Sequence, residues 1–90
     1  MFSELPPREN AERAVRIGDP AGIHLRVAAE LAAIAERSGC EATLNECELR
    51  RAIRIVALGI RYGDVVTLRV CGPRAEGMLE ELRHVLEGER

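Results

Sequence analysis

The spacing of apolar residues changes period repeatedly along this chain, which excludes both an all-helical and an all-strand fold. From Val65 to Val70, Val66, Leu68 and Val70 alternate with Val65, Thr67 and Arg69, the period of a strand with one buried face. From Val27 to Ala35 the period lengthens: Val27, Ala28, Leu31, Ala32, Ile34 and Ala35 recur at three and four, predicting a helix through Arg37 that Ser38-Gly39 ends. Ala14 to Ile17 places Val15 and Ile17 on one side of a short strand and Arg16 on the other, stopped by Gly18-Asp19-Pro20-Ala21-Gly22. Cys40–Leu44 and Cys47–Arg50 read as a hairpin about Asn45-Glu46, a weaker turn signal than Asn-Gly. Arg51 to Ile60 reads as a second helix, stopped at Leu58-Gly59, with more apolar surface than one stripe needs, so it is either well buried or docks a partner. Gly72-Pro73 opens a last helix, with Pro near its first position and Met78, Leu79, Leu82, Val85 and Leu86 inside.

The resulting order is β-α-β-β-α-β-α. It folds as a four-stranded, largely antiparallel sheet with three helices on one face, the α+β class, and leaves the other face to water. Residues 1–10, with their Pro pair and no periodicity, read as an N-terminal extension, and 11–90 as the single domain that 90 residues allow. The core must be aliphatic. The chain has 23 Ile, Leu and Val and 12 Ala, against Phe2 and Tyr62 as the aromatics.

Charge and cysteine usage narrow the function classes. A net charge of −2 lacks the basic footprint of a general nucleic-acid binder, so any anion site must be local. All 13 basic residues are Arg, which reads mostly as compositional bias, although Arg also suits bidentate phosphate binding. Cys40, Cys47 and Cys71 are odd in number, show no CxxC spacing and follow no signal peptide. They read as reduced thiols of a cytoplasmic protein that pack as small hydrophobes, and with only two His a zinc site is not expected. No apolar run approaches the ~20 residues that cross a bilayer. His84, late in the last helix, reads as structural.

The stretch Pro20-Ala21-Gly22-Ile23-His24-Leu25-Arg26-Val27-Ala28-Ala29 is the most informative, because a His stands where a Gly turn meets a helix and an Arg follows two residues on. The first N–H groups of a helix have no partner in the helix and carry the positive end of its dipole. With His24 at or beside the N-cap, the amides of Leu25 and Arg26 can point at a group bonded to the ring, and Arg26 adds a charged donor. A neutral imidazole nitrogen is a competent nucleophile near neutral pH, and phosphoryl transfer asks little more of a protein than positioning and support of the equatorial oxygens. Two alternatives stay open on the residues alone: an exposed His that happens to begin a helix, and a module that binds an anionic metabolite at the helix start.

Gly22-Ile23-His24-Leu25-Arg26-Val27-Ala28 resembles the Gly-Leu-His-x-Arg-Pro-Ala motif of the histidine-containing phosphocarrier (HPr) family of the phosphoenolpyruvate-dependent phosphotransferase system. The similarity continues through Leu58-Gly59-Ile60 and through Gly63 before Asp64-Val65-Val66, and covers about residues 13–88. The resemblance implies an open-faced β-sandwich and a carrier rather than an enzyme, with no cofactor. It also implies that His24 accepts a phosphoryl group on Nδ1 from enzyme I, with Arg26 assisting, and relays it to a downstream protein for sugar uptake or regulation. The implied carrier is a cytoplasmic monomer.

Three departures bear on that expectation. Val27 replaces the family's Pro, which predicts an altered entry to the helix rather than its loss. Leu25 is bulkier than the family's small residue and either shields His24 or contacts a partner. Arg51 stands where the family has its regulatory Ser, so control by a serine kinase is not expected. Arg50, Arg51 and Arg54 make a basic cluster about Ile53, read as a solvated face or as a docking rim for an acidic partner. A divergent HPr-like regulatory or interaction module without phosphotransfer is the competing reading.

Overall fold

A computed structural model describes residues 9–88, so the expectations for residues 1–8 lie outside the described residues. The elements are β1 (Glu9–Arg16), α1 (Leu25–Ser38), β2 (Glu41–Leu44), β3 (Cys47–Glu48), α2 (Ala52–Ala57), β4 (Val65–Gly72) and α3 (Ala75–Glu87). The four strands form one sheet in the order β1-β4-β2-β3, and every neighbouring pair is antiparallel. This is the α+β element order that the periodicity predicts and the open-faced sandwich that the resemblance implies.

Alternation sets which face is covered. In β4, Val66, Leu68 and Val70 are buried, while Val65, Thr67 and Arg69 are exposed. In β1, Ala11 and Val15 point to the covered side with Ile17 just beyond, and Arg13 shares that side but reaches its rim. There its guanidinium pairs with Glu80 at 2.7 Å and Glu76 at 3.7 Å, both on α3. On the open face Glu12 and Arg69, directly opposite in register, pair at 3.3 Å. Exposed pairs of this kind contribute about 0–1 kcal/mol each, so they mark orientation more than stability. Arg83 hydrogen-bonds Glu80 and Glu87 along α3, and the Arg83 bond, with Arg13 beside it, holds the Glu80 carboxyl below its ordinary range.

The core lies between sheet and helices and is aliphatic. α1 contributes Val27, Ala28, Leu31, Ile34 and Ala35, and α3 contributes Ala75, Leu79, Leu82, Val85 and Leu86. Gly39 closes α1 in the left-handed region at φ 75°.

Four local expectations are corrected. β1 starts at Glu9, not Ala14, and takes in Glu9 and Asn10 from the segment read as extension, because their ladder to Gly72 and Cys71 of β4 supplies what their polar side chains do not signal. β3 stops at Glu48: Leu49 still donates to the Ala42 carbonyl at 2.9 Å, but Arg51 donates to the Glu48 carbonyl at 3.1 Å and turns the chain into α2. α2 spans six residues, Ala52–Ala57, and is shorter than the Arg51–Ile60 read from the sequence; it buries Ile55 and packs Ala52 and Val56 against the core, leaving Ile53 72% and Leu58 43% exposed. Pro73 precedes the cap of α3 instead of opening the helix, since Arg74 is the N-cap at φ 57°.

The Asn45-Glu46 turn is real despite its weak signature. Both residues have positive φ, 49° and 70°. Asn45 anchors the turn to the central strand twice, its N–H donating to the Thr67 carbonyl at 2.9 Å and its Oδ1 accepting the Thr67 N–H at 2.8 Å. Of the cysteines, Cys40 is fully buried, whereas Cys47 and Cys71 are only half-buried, and none of the three is in a disulfide. Among the described residues no helix is long and apolar enough to cross a membrane, and no cluster of three potential metal ligands occurs.

Candidate phosphoryl-acceptor site at the start of helix α1

The site is built by a loop that cannot close without glycine. Gly22 sits at φ 72°, and a Cβ there would lie 2.6 Å from the Ile60 carbonyl oxygen and 3.0 Å from the Arg61 Cα. The close approach lets the Ile23 N–H donate to the Ile60 carbonyl at 3.1 Å, which ties the segment before α1 to the one after α2. That second segment is held by Asp64, whose Oδ2 accepts the Arg61 N–H at 2.8 Å while its own N–H donates to the Arg61 carbonyl. Gly18 donates to the Leu86 carbonyl at 3.0 Å, so the end of α3 closes the same loop from a third side.

His24 is the N-cap of α1, extended at φ −97° and ψ 177°, and its ring makes no capping hydrogen bond. The first rung of the helix runs from the Ala28 N–H to the His24 carbonyl at 2.9 Å. The N–H groups of Leu25, Arg26 and Val27 precede that ladder, the set of donors a bound anion can use. Leu25 is 55% exposed and Arg26 is exposed beside it, whereas Val27 is buried. The structure therefore brings His24, Leu25 and Arg26 to one helix start as the sequence suggests. The helix begins at Leu25 with Val in the place of Pro.

Because the Val27 N–H lies outside the ladder, proline fits here without breaking a helical bond. Val27→Pro is expected to leave α1 intact and to cost no more than about 1 kcal/mol, mostly from the altered core contact. Proline at exposed Ala33, where the N–H is used, should cost several times as much; urea denaturation of the two variants measures the difference.

The Arg cluster is divided. Arg50, still exposed, folds back along the surface, donating to the Cys40 carbonyl at 3.3 Å and lying 3.7 Å from Glu36 of α1. Arg51 is the N-cap of α2 and pairs with Glu48 at 3.5 Å. Arg54, one residue after Ile53, has no carboxylate within ion-pair distance among the described residues.

Two residues near the site were not singled out by sequence. Leu58 joins Ile53 as exposed apolar surface on the helical side. Asp19, read only as part of a turn, places its Oδ2 3.7 Å from His24 Nε2. The signal available was Asp followed by Pro, which marks an Asx turn but not where its free oxygen points.

A family model for the phosphorylation site of the HPr component of the phosphotransferase system matches residues 11–88. The chain belongs to the HPr family. Phosphocarrier protein HPr of Mycoplasma genitalium is 34% identical over 76 residues, covering 79% of this chain and 86% of that protein. HPr of Chlamydia muridarum is 32% identical over 73 residues, covering 77% of this chain and 70% of its own. The crystal structure of HPr from Bacillus anthracis superposes with a TM-score of 0.79 over 86% of this chain and 96% of that one, at 22% identity, a likeness of fold. Membership in HPr makes the chain a phosphocarrier of the phosphotransferase system, a carrier protein rather than an enzyme.

Proposed function

We propose that His24 accepts a phosphoryl group on Nδ1 from enzyme I and hands it to a downstream acceptor protein, serving sugar uptake or regulation. The observation that carries this reading is the position of His24: it is the N-cap of α1, its ring makes no capping bond, and the helix that follows leaves its first donors unused. Arg26 and the amides of Leu25 and Arg26 support the phosphoryl oxygens. The reading takes the protein as a cytoplasmic monomer, which suits a small chain that offers one ring to larger partners. Incubation with phosphoenolpyruvate and enzyme I should place a single acid-labile phosphate on the chain, seen by phosphorus NMR as Nδ1-phosphohistidine. No phosphate on the folded protein, with an enzyme I that charges another HPr, sinks the reading.

Docking rests on Leu25 and Ile53 as apolar anchors, with Arg50, Arg51 and Arg54 as the surrounding charge. Arg54 has the freest guanidinium of the three, and Leu58 extends the apolar surface. Exposed aliphatic side chains with charge around them suit an acidic partner's rim. Ile53→Asp should lower the second-order rate of phosphorylation roughly tenfold, as loss of an interface anchor does, with no loss of stability because the side chain is outside the core. An unchanged rate removes Ile53 from the docking surface. The competing module without phosphotransfer uses the same surface and predicts partner binding that His24→Ala leaves untouched.

A further inference from the structure

The turn before His24 does more than reverse the chain. Asp19 Oδ1 accepts the Ala21 N–H at 2.9 Å and the Asp19 carbonyl accepts the Gly22 N–H at 2.8 Å, with Pro20 fixing φ between them. One carboxylate oxygen is thereby committed to the backbone, and the other is left 3.7 Å from His24 Nε2. Both side chains are largely covered, Asp19 22% and His24 34% exposed. The separation exceeds a hydrogen bond by about 0.7 Å, a gap of the kind that closes when a site engages its partner. Among the described residues no protein group competes with the carboxylate for the ring.

We infer that Asp19 is a positioning residue that holds the His24 proton on Nε2 and so keeps the lone pair on Nδ1. A carboxylate accepts and cannot donate, so the ring nitrogen that faces it carries the hydrogen. The inference rests on the reading of His24 as phosphoryl acceptor. In the transfer, the Nδ1 lone pair forms the N–P bond while the bond from phosphorus to the donor breaks and its electron pair leaves with the donor. No proton moves. Nε2 keeps its hydrogen, and the positive charge that spreads over the ring faces the Asp19 carboxylate. Return of the phosphoryl group to an acceptor reverses each step.

Asp19→Asn tests this without dismantling the turn. The amide oxygen can still accept the Ala21 N–H, which obliges the NH2 group to face the ring, where it needs an acceptor. Nε2 then becomes the acceptor and the proton moves to Nδ1. With histidine labelled by nitrogen-15 in the full chain, at a pH where the parent ring is neutral by its own spectra, two-bond proton–nitrogen correlations report the tautomer directly. The parent should show Nε2–H in excess and Asp19→Asn a reversed balance, with phosphorylation slowed by ~10–100-fold, the range in which loss of an orienting partner falls. An unchanged tautomer balance in Asp19→Asn overturns the proposal, and so does a reversed balance with an undiminished rate. If the parent itself takes no phosphate, the acceptor reading falls while the tautomer result still judges Asp19. Asp19→Ala, which removes both contacts, should return the tautomer balance to that of a free histidine ring without reversing it.

Discussion

His24→Ala should fold as the parent does and accept no phosphate. The two halves of this expectation come from different features of the same residue. The backbone of His24 carries the structural work: its carbonyl accepts the Ala28 N–H, and its extended φ and ψ suit any L residue. The ring makes no capping bond, is about a third exposed, and faces Asp19 at 3.7 Å. Its removal should therefore change stability by no more than about 0.5–1 kcal/mol, as for a surface position. The chemistry has no such redundancy, because the ring nitrogen is the bond-forming atom. Labelling from phosphoenolpyruvate should fall to background while the urea midpoint stays put. His84→Ala is the matched control: it lies in the last turn of α3 and should label as the parent does. Phosphate on His24→Ala would assign the acceptor elsewhere and end the present reading of the site.

What the sequence revealed follows from where the determinants lie. α1, β4 and α3 are legible because each buries a full stripe, so their periodicity survives in one dimension. The first half of β1 is not legible. Glu9-Asn10-Ala11-Glu12-Arg13 offers one apolar residue in five, and is a strand because the edge of β4 is there to pair with and because Glu12 and Arg13 reach Arg69 and Glu80. Helix α2 shows the converse: its apolar residues suggest a longer element, yet the helix ends at Ala57, with Ile55, Ala52 and Val56 against the core and Ile53 exposed. At the site, the Gly turn, the His and the helical run are contiguous and could be read directly. Asp19 could not, because its relation to His24 depends on which oxygen an Asx turn leaves free. The division of the Arg cluster likewise turns on long side chains choosing between Glu36, Glu48 and water.

Gly22→Val should damage both the fold and the site, and a comparison with Gly39 separates its two causes. Both glycines have positive φ, 72° and 75°, but a Cβ at Gly39 meets nothing within 4 Å, whereas one at Gly22 lies 2.6 Å from the Ile60 carbonyl oxygen. Gly39→Ala therefore measures the left-handed penalty alone, about 1–2 kcal/mol. Gly22→Val adds a collision with backbone, which cannot rotate away as a side chain would, and a further ~1–3 kcal/mol is expected for forcing the segments apart. The sum, about 2–5 kcal/mol, is large against the roughly 5–13 kcal/mol that a 90-residue domain retains. At about 4–8 °C per kcal/mol, it should lower Tm by at least roughly 8 °C. The functional loss should exceed what unfolding explains. Ile23 donates to the carbonyl that must move, and His24 follows it directly, so the ring and Asp19 lose their alignment even in molecules that remain folded. Phosphorylation measured well below the variant's Tm should thus be slowed while Gly39→Ala is charged at the parent's rate. If both variants lose equal stability and both accept phosphate normally, the contact between the Gly22 and Ile60 segments does not position the acceptor, and the site depends on α1 alone.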